Sequence, residues 1–212
     1  MKTGKTPARE NITGLVLAGG RGTRMDGKDK GLLPFHGKPL FQHAVDRLAS
    51  QTATLFISAN RHPENYAQAG FPVIPDELPA FAGPLAGFAA GLAYCRTLYM
   101  VAIPCDSPFF PATLVFELGL ALSRDGADIA IAVTGKTSPF TPQPVFCLMK
   151  QELLPRLKAF LQTGQRKIEA WHTTLKVARV HFADEDAFCN INTREELDAL
   201  EKAGQNGNAK IL

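Results

Sequence analysis

An apolar run that breaks into a glycine-rich, cationic loop constrains this chain more than any other feature. Residues 12–18 are mostly aliphatic and predict a buried strand. Gly19, Gly20 and Gly22 follow it directly, and glycine lets backbone amides approach a bound group closely. The interleaved cations are Arg21, Arg24, Lys28 and Lys30. Amides and cations together favour a phosphate site, specifically a nucleoside triphosphate site, although a strand-to-helix turn with solvent-facing cations is the alternative.

The loop matches neither of the two common glycine motifs. It lacks the Gly-Lys-Ser/Thr ending of a Walker loop, and Met25 stands where a dinucleotide fingerprint needs its third glycine. Asp26 and Asp29 keep the loop from being simply basic. We therefore expect a shaped pocket for a small anion and no nucleic-acid surface.

Composition indicates an ordinary globular protein. The chain has 212 residues, 45% of them hydrophobic, and a formal net charge of +3, which is too weak and dispersed to predict nucleic-acid binding. Its four cysteines form no Cys-x-x-Cys pair, so we expect buried thiols in a reducing, cytoplasmic setting. Prolines and glycines within residues 78–95 argue against a membrane helix there. We predict a flexible tail at 1–10, one domain over 11–203 and a second flexible tail at 204–212.

Apolar strands alternate with helical patterns along the chain. This predicts an α/β fold with three layers and a mostly parallel central sheet. Strands are expected at 54–58, 71–74 and 99–103, a helix at 38–50, and a polar loop over the active face at 134–143. In such a sheet the carboxyl ends of neighbouring strands line one crevice, where ligands bind.

Polar residues follow three of these predicted strands. Asn60 and Asp76 each come just after a strand. Each is either a nucleotide contact or a local structural residue, which is a helix cap for Asn60 and a turn residue for Asp76. A carboxylate at position 76 matches the N1–H and amine donors of guanine. Asp106 follows the most continuous apolar strand, where a buried carboxylate needs a cation, so we predict a Mg²⁺ ligand; capping of the next helix is the alternative.

Small and polar residues elsewhere suggest further contacts. Gly83 begins a small-residue stretch that lets a sugar or base come close, whereas Ala90 and Gly91 equally fit tight helix packing. Arg166 precedes a short helix and either binds an acceptor phosphate or sits in a solvated turn. Asn190 and Asn192 alternate, and therefore share one face of an extended segment.

A capping box is expected immediately after these asparagines. Thr193 and Glu196 have its spacing and predict the start of the last helix. Asn192 is thus either a ligand for phosphate or metal-bound water, or a local turn residue.

The motifs, taken in order, resemble those of the molybdenum cofactor guanylyltransferases. LAGGRGTRMDGKDKGLL is similar to the signature of nucleotidyltransferases, and GKPL, SANR, FAGPLAG, PCDSPF and NINT follow it over residues 15–193. One departure is Asp26, since the family has two glycines after the Arg-Met pair. The resemblance implies a Rossmann-like nucleotidyltransferase fold and the transfer of GMP from GTP to molybdopterin, which releases pyrophosphate.

The resemblance also implies roles for individual residues. Catalysis would involve Arg24, Lys30 and Asp106, with Asp106 as the Mg²⁺ ligand. Molybdopterin would contact Arg166, Asn190 and Asn192. The implied GTP contacts are Leu17, Ala18, Gly19, Gly20, Gly22, Lys30, Asn60, Asp76, Gly83 and Asp106.

Two other functions remain open from the residues. One is nucleotidyl transfer to a sugar phosphate, or from CTP to the same pterin. The other is a GTP-binding partner in cofactor insertion that has no turnover, against which the set of Arg24, Lys30 and Asp106 argues. Molybdoenzymes or accessory proteins would be the further partners.

Overall fold

A seven-stranded sheet organises residues 5–18, 29–75 and 83–205, the part of the chain that the computed structural model describes. The strands are β1 (Ile12–Leu17), β2 (Pro34–Phe35), β3 (Lys38–Pro39), β4 (Thr54–Ser58), β5 (Val73–Ile74), β6 (Tyr99–Pro104), β7 (Ile129–Thr134), β8 (Thr141–Lys150) and β9 (Val177–Phe182). The helices are α1 (Leu40–Ala49), α2 (Pro63–Tyr66), α3 (Pro84–Tyr94), α4 (Leu114–Asp125), α5 (Leu154–Gln162), α6 (Ile168–His172) and α7 (Arg194–Gln205).

The strand order is β5-β4-β1-β6-β8-β7-β9, and β2 and β3 form a separate hairpin. All neighbours in the large sheet are parallel except β8, which is antiparallel to both β6 and β7. The predicted α/β fold with a mostly parallel sheet is confirmed.

Helices cover both faces of this sheet. One apolar core contains residues of α1 and α4, and the other contains residues of α3, α5 and α6. Side chains of a strand alternate between faces, so Val16 joins the first core while Leu15 joins the second. The result is the expected three-layer arrangement.

Gly91 allows α3 to pack closely on the sheet. A Cβ at this position would lie 2.7 Å from a methyl group of Leu15 and 2.8 Å from the sulfur of Met100. Of the two interpretations open for this residue, tight helix packing is therefore the one that its contacts support.

Three expected boundaries were wrong. The strand predicted at 71–74 spans only Val73–Ile74. The helix predicted from residue 38 begins at Leu40, because Pro39 is extended and pairs with Pro34 in the hairpin. The polar loop predicted at 134–143 is shorter, because Thr134 ends β7 and Thr141 already begins β8. The first half of β8 contains prolines, and it pairs with β7 but not with β6. Proline has no backbone N–H, which is tolerated in a strand segment that has only one neighbour.

The segment before β1 makes defined contacts from residue 5 onward. Ser123 Oγ of α4 donates to the Lys5 carbonyl at 3.1 Å, and Arg9 Nε donates to the Thr52 carbonyl at 2.9 Å. Residues 5–10 lie within the segment that we predicted as a flexible tail, so these contacts bear on where the domain begins. The domain boundaries stay predictions.

None of the helices within the described ranges is long and apolar enough to cross a bilayer.

Candidate functional site

The carboxyl ends of four parallel strands meet at one edge of the sheet. The Ala18 amide donates to the Ser58 carbonyl at 2.8 Å, which joins the ends of β1 and β4. The Cys105 amide donates to the Leu17 carbonyl at 3.0 Å, which joins β6 to β1. The predicted crevice is therefore present, with Leu17 and Ala18 at its centre and the exposed Asn60 two residues beyond the end of β4.

Lys30 is the cation at this edge. It begins a short 3-10 turn, Lys30–Leu32, and its Nζ donates to Asn192 Oδ1 at 2.7 Å. The same Nζ lies 3.9 Å from Asp106 Oδ2, which is an ion pair without a hydrogen bond. Asp106 and Asn192, which were predicted separately, thus converge on the ammonium group of Lys30.

Asp106 is a carboxylate with little access to water. Its side chain is 19% exposed, and burial raises its pKa, while the nearby Lys30 ammonium opposes that rise. The edge of the sheet therefore places a poorly solvated carboxylate beside the Lys30 ammonium. Such a charge favours a second cation beside Lys30.

The segment containing both predicted asparagines is attached to Asp106. The Ile191 amide donates to the Asp106 carbonyl at 2.8 Å, and the Ile191 side chain is buried with Phe35 and Leu40. Asn190 and Asn192 flank this buried residue, which confirms that they alternate with it.

Hydrogen bonds fix both amide side chains. Ser107 Oγ donates to Asn190 Oδ1 at 2.5 Å, and Asn192 Nδ2 donates to the Asn190 carbonyl at 3.3 Å. The expected capping box is also formed, since the Glu196 amide donates to Thr193 Oγ1 at 3.1 Å and the Thr193 amide donates to Glu196 Oε2 at 3.3 Å. The start of α7 therefore anchors the asparagine segment.

Gly83 and Arg166 form a second group. Gly83 precedes α3 with a φ of 69°, and a Cβ there would lie 3.9 Å from the Arg166 carbonyl. The Arg166 guanidinium donates through Nη1 to the carbonyls of Leu161 and Gln165, both at 2.7 Å. Its charge therefore faces the carboxyl end of α5, where a cation is favourable.

Five predicted site residues lie outside the described part of the chain. They are Gly19, Gly20, Gly22, Arg24 and Asp76.

Sequence reasoning missed the residues that support Lys30 and Asn190. Ser107 is fully buried and follows Asp106 directly, so its place in the PCDSPF motif was an available signal. Tyr66 Oη donates to Asp29 Oδ1 at 2.5 Å, next to Lys30. No local pattern marks Tyr66, because the two partners are 37 residues apart.

Among the described residues, Asp106 is the predicted metal ligand that lies at this edge of the sheet. Within the described ranges, no three side chains of His, Cys, Asp or Glu are grouped so that they could hold a metal ion. This arrangement fits an ion that takes one carboxylate and completes its shell with phosphate oxygens and water.

Comparisons with known proteins agree with this geometry. The family model described as a MobA-like NTP transferase domain matches residues 14–177. A molybdenum cofactor guanylyltransferase of Cupriavidus pinatubonensis is 53% identical over 191 residues, which cover 90% of this chain and 96% of that protein. The protein of the same name from Bordetella petrii is 52% identical over 91% of this chain and 98% of its own length.

Solved structures share the fold at low sequence identity. Molybdopterin-guanine dinucleotide biosynthesis protein A from Archaeoglobus fulgidus superposes with a TM-score of 0.73 at 22% identity, over 92% of this chain and 99% of that one. A 4-diphosphocytidyl-2C-methyl-D-erythritol synthase from Anaerococcus prevotii reaches the same TM-score of 0.73 at 12% identity, over 93% and 100% of the two chains. The nucleotidyltransferase fold is thereby confirmed, and the identity to the curated relatives shows that the chain belongs to the molybdenum cofactor guanylyltransferase family.

Proposed function

We propose that this protein transfers GMP from GTP to the molybdenum-bound form of molybdopterin, producing the guanine dinucleotide cofactor and pyrophosphate. The observation that carries the proposal is the position of Lys30, which contacts both Asp106 and Asn192. Asp106 belongs to the predicted GTP side and Asn192 to the predicted pterin side. The names of the curated relatives support the same activity.

The reaction forms one bond and breaks one. An oxygen of the terminal phosphate of molybdopterin attacks the α-phosphorus of GTP, and the bond from that phosphorus to the β-bridging oxygen breaks. The attacking phosphate is already an anion, so the protein needs no general base. Positioning and charge stabilisation are what remain for it to supply.

Lys30 supplies part of that stabilisation. Its side chain is 21% exposed and its ammonium donates a hydrogen bond to Asn192, so it offers a fixed positive charge where two anions must approach each other. We assign it to the α-phosphate and the departing pyrophosphate. Arg24 and the amides of Gly19, Gly20 and Gly22 would hold the β- and γ-phosphates.

Asp106 would hold a Mg²⁺ ion. The fit rests on its poorly solvated carboxylate and on a nearby ammonium that does not hydrogen-bond to it. The ion, when bound, neutralises charge on the phosphate oxygens. The Asp106 carbonyl also holds the Ile191 amide and thereby the asparagine segment.

The remaining assignments belong to the same proposal. Asn60, Asp76 and Gly83 would contact the nucleoside, with Asp76 selecting guanine. Arg166, Asn190 and Asn192 would contact molybdopterin. Molybdoenzymes or accessory proteins would receive the product, and a cytoplasmic location is supported by the four free thiols. The expectation of buried thiols was wrong for Cys189, which is exposed, whereas the other three cysteines are buried.

The first test is calorimetric titration of the purified protein with GTP, CTP and ATP, each with Mg²⁺. We expect GTP to bind about 5- to 150-fold more tightly than the other two, because a carboxylate left unpaired by the wrong base costs about 1–3 kcal/mol. The second test supplies molybdopterin and measures pyrophosphate release and dinucleotide formation.

The outcomes separate the candidate functions. Preference for CTP would move the assignment to cytidylyl transfer with unchanged chemistry. GTP binding without pyrophosphate release would favour a non-catalytic partner. Turnover with sugar phosphates instead of molybdopterin would contradict the proposed acceptor.

A further inference from the structure

A buried tyrosine lies beneath the catalytic lysine. Tyr66 ends α2 and is 0% exposed, and its ring packs edge-on against Phe41 with centroids 4.7 Å apart. Its hydroxyl donates to Asp29 Oδ1 at 2.5 Å. Burying a phenol costs free energy unless its hydroxyl has a hydrogen-bond partner, and here Asp29 is that partner. The bond therefore links the core to the residue that precedes Lys30.

The residue on the other side of Lys30 touches the same hydroxyl. A Cβ built on Gly31 would lie 2.6 Å from Tyr66 Oη, 3.2 Å from Tyr66 Cε1 and 3.3 Å from Cys105 Sγ. The backbone at position 31 therefore lies directly against the tyrosine. Lys30 is held on both sides, at Asp29 by a hydrogen bond and at Gly31 by close packing.

The same contact reaches the strand that carries Asp106. Cys105 is buried, lies against Gly31 and immediately precedes Asp106. Tyr66, Gly31 and Cys105 therefore form one packing cluster. Gly31 is the neighbour of Lys30 in the chain and Cys105 is the neighbour of Asp106, so the cluster sets the distance between the two charged residues.

Tyr66 remains a donor over the whole working pH range. Burial raises the pKa of its hydroxyl, and the neighbouring Cys105 and Asp29 act in the same direction. A protonated phenol next to a carboxylate forms a charge-assisted hydrogen bond, which is stronger and more directional than a neutral one.

We propose that Tyr66 is a positioning residue for nucleotidyl transfer: by binding Asp29 and packing on Gly31 it sets the place of the Lys30 ammonium relative to Asp106. The inference rests on the proposed function, because the effect is expected in the transfer step. Tyr66 itself touches no substrate. It acts by holding the turn from which Lys30 extends.

The mechanism predicts which kinetic constant changes. Lys30 acts most strongly on the charge that develops during transfer, so its misplacement lowers kcat more than it raises the KM for GTP. An error of about 1 Å in such a group costs on the order of tenfold to a hundredfold in rate. A tyrosine with a merely structural role would instead alter stability and leave the kinetic constants of the folded protein unchanged.

The test uses Tyr66→Phe, which keeps the ring and its packing on Phe41. We expect kcat to fall about tenfold or more, with less than a threefold change in the KM for GTP and an unchanged circular dichroism spectrum at the assay temperature. Tyr94→Phe is the matched control, because it removes a hydroxyl from an exposed tyrosine at the far end of α3, and it should retain wild-type constants.

A double-mutant cycle checks the route through Asp29. Asp29→Ala removes the acceptor, so adding Tyr66→Phe to it should change kcat by less than about twofold. Independent, multiplying losses would contradict the link between the two residues. Wild-type kcat in the Tyr66→Phe variant would overturn the inference.

Failure of the proposed function has a different signature. If the wild-type protein releases no pyrophosphate with molybdopterin, the cycle is measured on the dissociation constant of GTP with Mg²⁺, where Lys30 also acts on bound phosphates. Tyr66→Phe should then weaken binding about threefold or more in the wild-type background and less than twofold in a Lys30→Ala background. Equal effects in both backgrounds would contradict positioning of Lys30.

Discussion

Two basic residues predicted to bind substrate have opposite surroundings. Lys30 lies at the carboxyl edge of the sheet, where it meets the side chains of Asp106 and Asn192 from two other elements. Arg166 lies four residues beyond the end of α5 and donates to the carbonyls of Leu161 and Gln165, which belong to its own segment. Positive charge is equal in both. The difference is that long-range packing positions Lys30, whereas local backbone groups satisfy Arg166.

The two regions also differ in whether a buried ionisable group, Asp106 or His172, has a partner for its charge. Asp106 shares its environment with a cation, which opposes the rise in its pKa that burial causes. His172, in α6, is 8% exposed and its Nε2 has no hydrogen-bond partner among the described residues. Burial lowers its pKa to about 4. The structure therefore pairs the buried Asp106 carboxyl group with a cation, whereas burial disfavours the charged form of His172.

Removing the cation from each region should give the largest contrast. We expect Lys30→Ala to lower kcat by about a hundredfold to a thousandfold, because a fixed charge that stabilises the transition state is lost. Arg166→Ala should change kcat by less than about threefold and act mainly on the KM for molybdopterin. Steady-state kinetics of the two variants measure this difference. Comparable losses of kcat would show that Arg166 also serves the transfer step.

Acid should destabilise the protein through His172. Its pKa is about 4 in the folded state and 6.5 as its reference value, so below pH 6.5 the unfolded chain binds a proton that the folded protein excludes. The free energy of unfolding should therefore fall as the pH drops from 6.5 to 4, by about 3 kcal/mol.

Urea unfolding between pH 7 and pH 4 measures this slope. His172→Phe should reduce it, since the variant has no proton to bind at this position, and the slope that remains includes His43, whose pKa burial also lowers. His62→Gln, which removes an exposed histidine, is the control. A slope in His172→Phe equal to that of the wild-type protein would assign the acid sensitivity to other groups.

Glycines in the two regions should respond to alanine for different reasons. Gly31→Ala should destabilise the protein by about 2 kcal/mol, because the added methyl overlaps Tyr66 Oη. Gly164→Ala meets no atom within 4 Å but has a φ of +85°, so we expect about 1 kcal/mol of backbone strain.

Adding Tyr66→Phe separates these causes. It should recover part of the stability lost in Gly31→Ala, since the closest overlapping atom is gone, and none of that lost in Gly164→Ala. Thermal unfolding of the four variants is sufficient. An equal response of both glycine variants would contradict the overlap with Tyr66.

The smallest effect is expected at the amide that holds Lys30. Asn192→Ala removes one hydrogen bond to the ammonium and should lower kcat about threefold to tenfold. Asn192→Asp keeps an acceptor there but adds a negative charge near the substrate phosphates, so it should lower kcat further. An Asn192→Asp variant more active than Asn192→Ala would indicate that the bond to Lys30 matters more than phosphate repulsion.

The sequence alone determined what depends on near neighbours along the chain. The apolar run of β1, the strand at 54–58 and the capping box of Thr193 and Glu196 were all predicted and are present, because hydrophobic period and helix capping involve residues within a few positions of each other. Family resemblance then extended the prediction to individual residues of the crevice.

The tertiary structure decided what depends on strand order and side-chain pairing. The bond from Lys30 to Asn192 joins residues 162 positions apart, and that from Tyr66 to Asp29 joins residues 37 apart. The antiparallel insertion of β8 between β6 and β7 was likewise not predicted. No local period encodes such contacts, because each arises only when separate elements, buried for their own hydrophobic reasons, bring their ends to the same edge of the sheet.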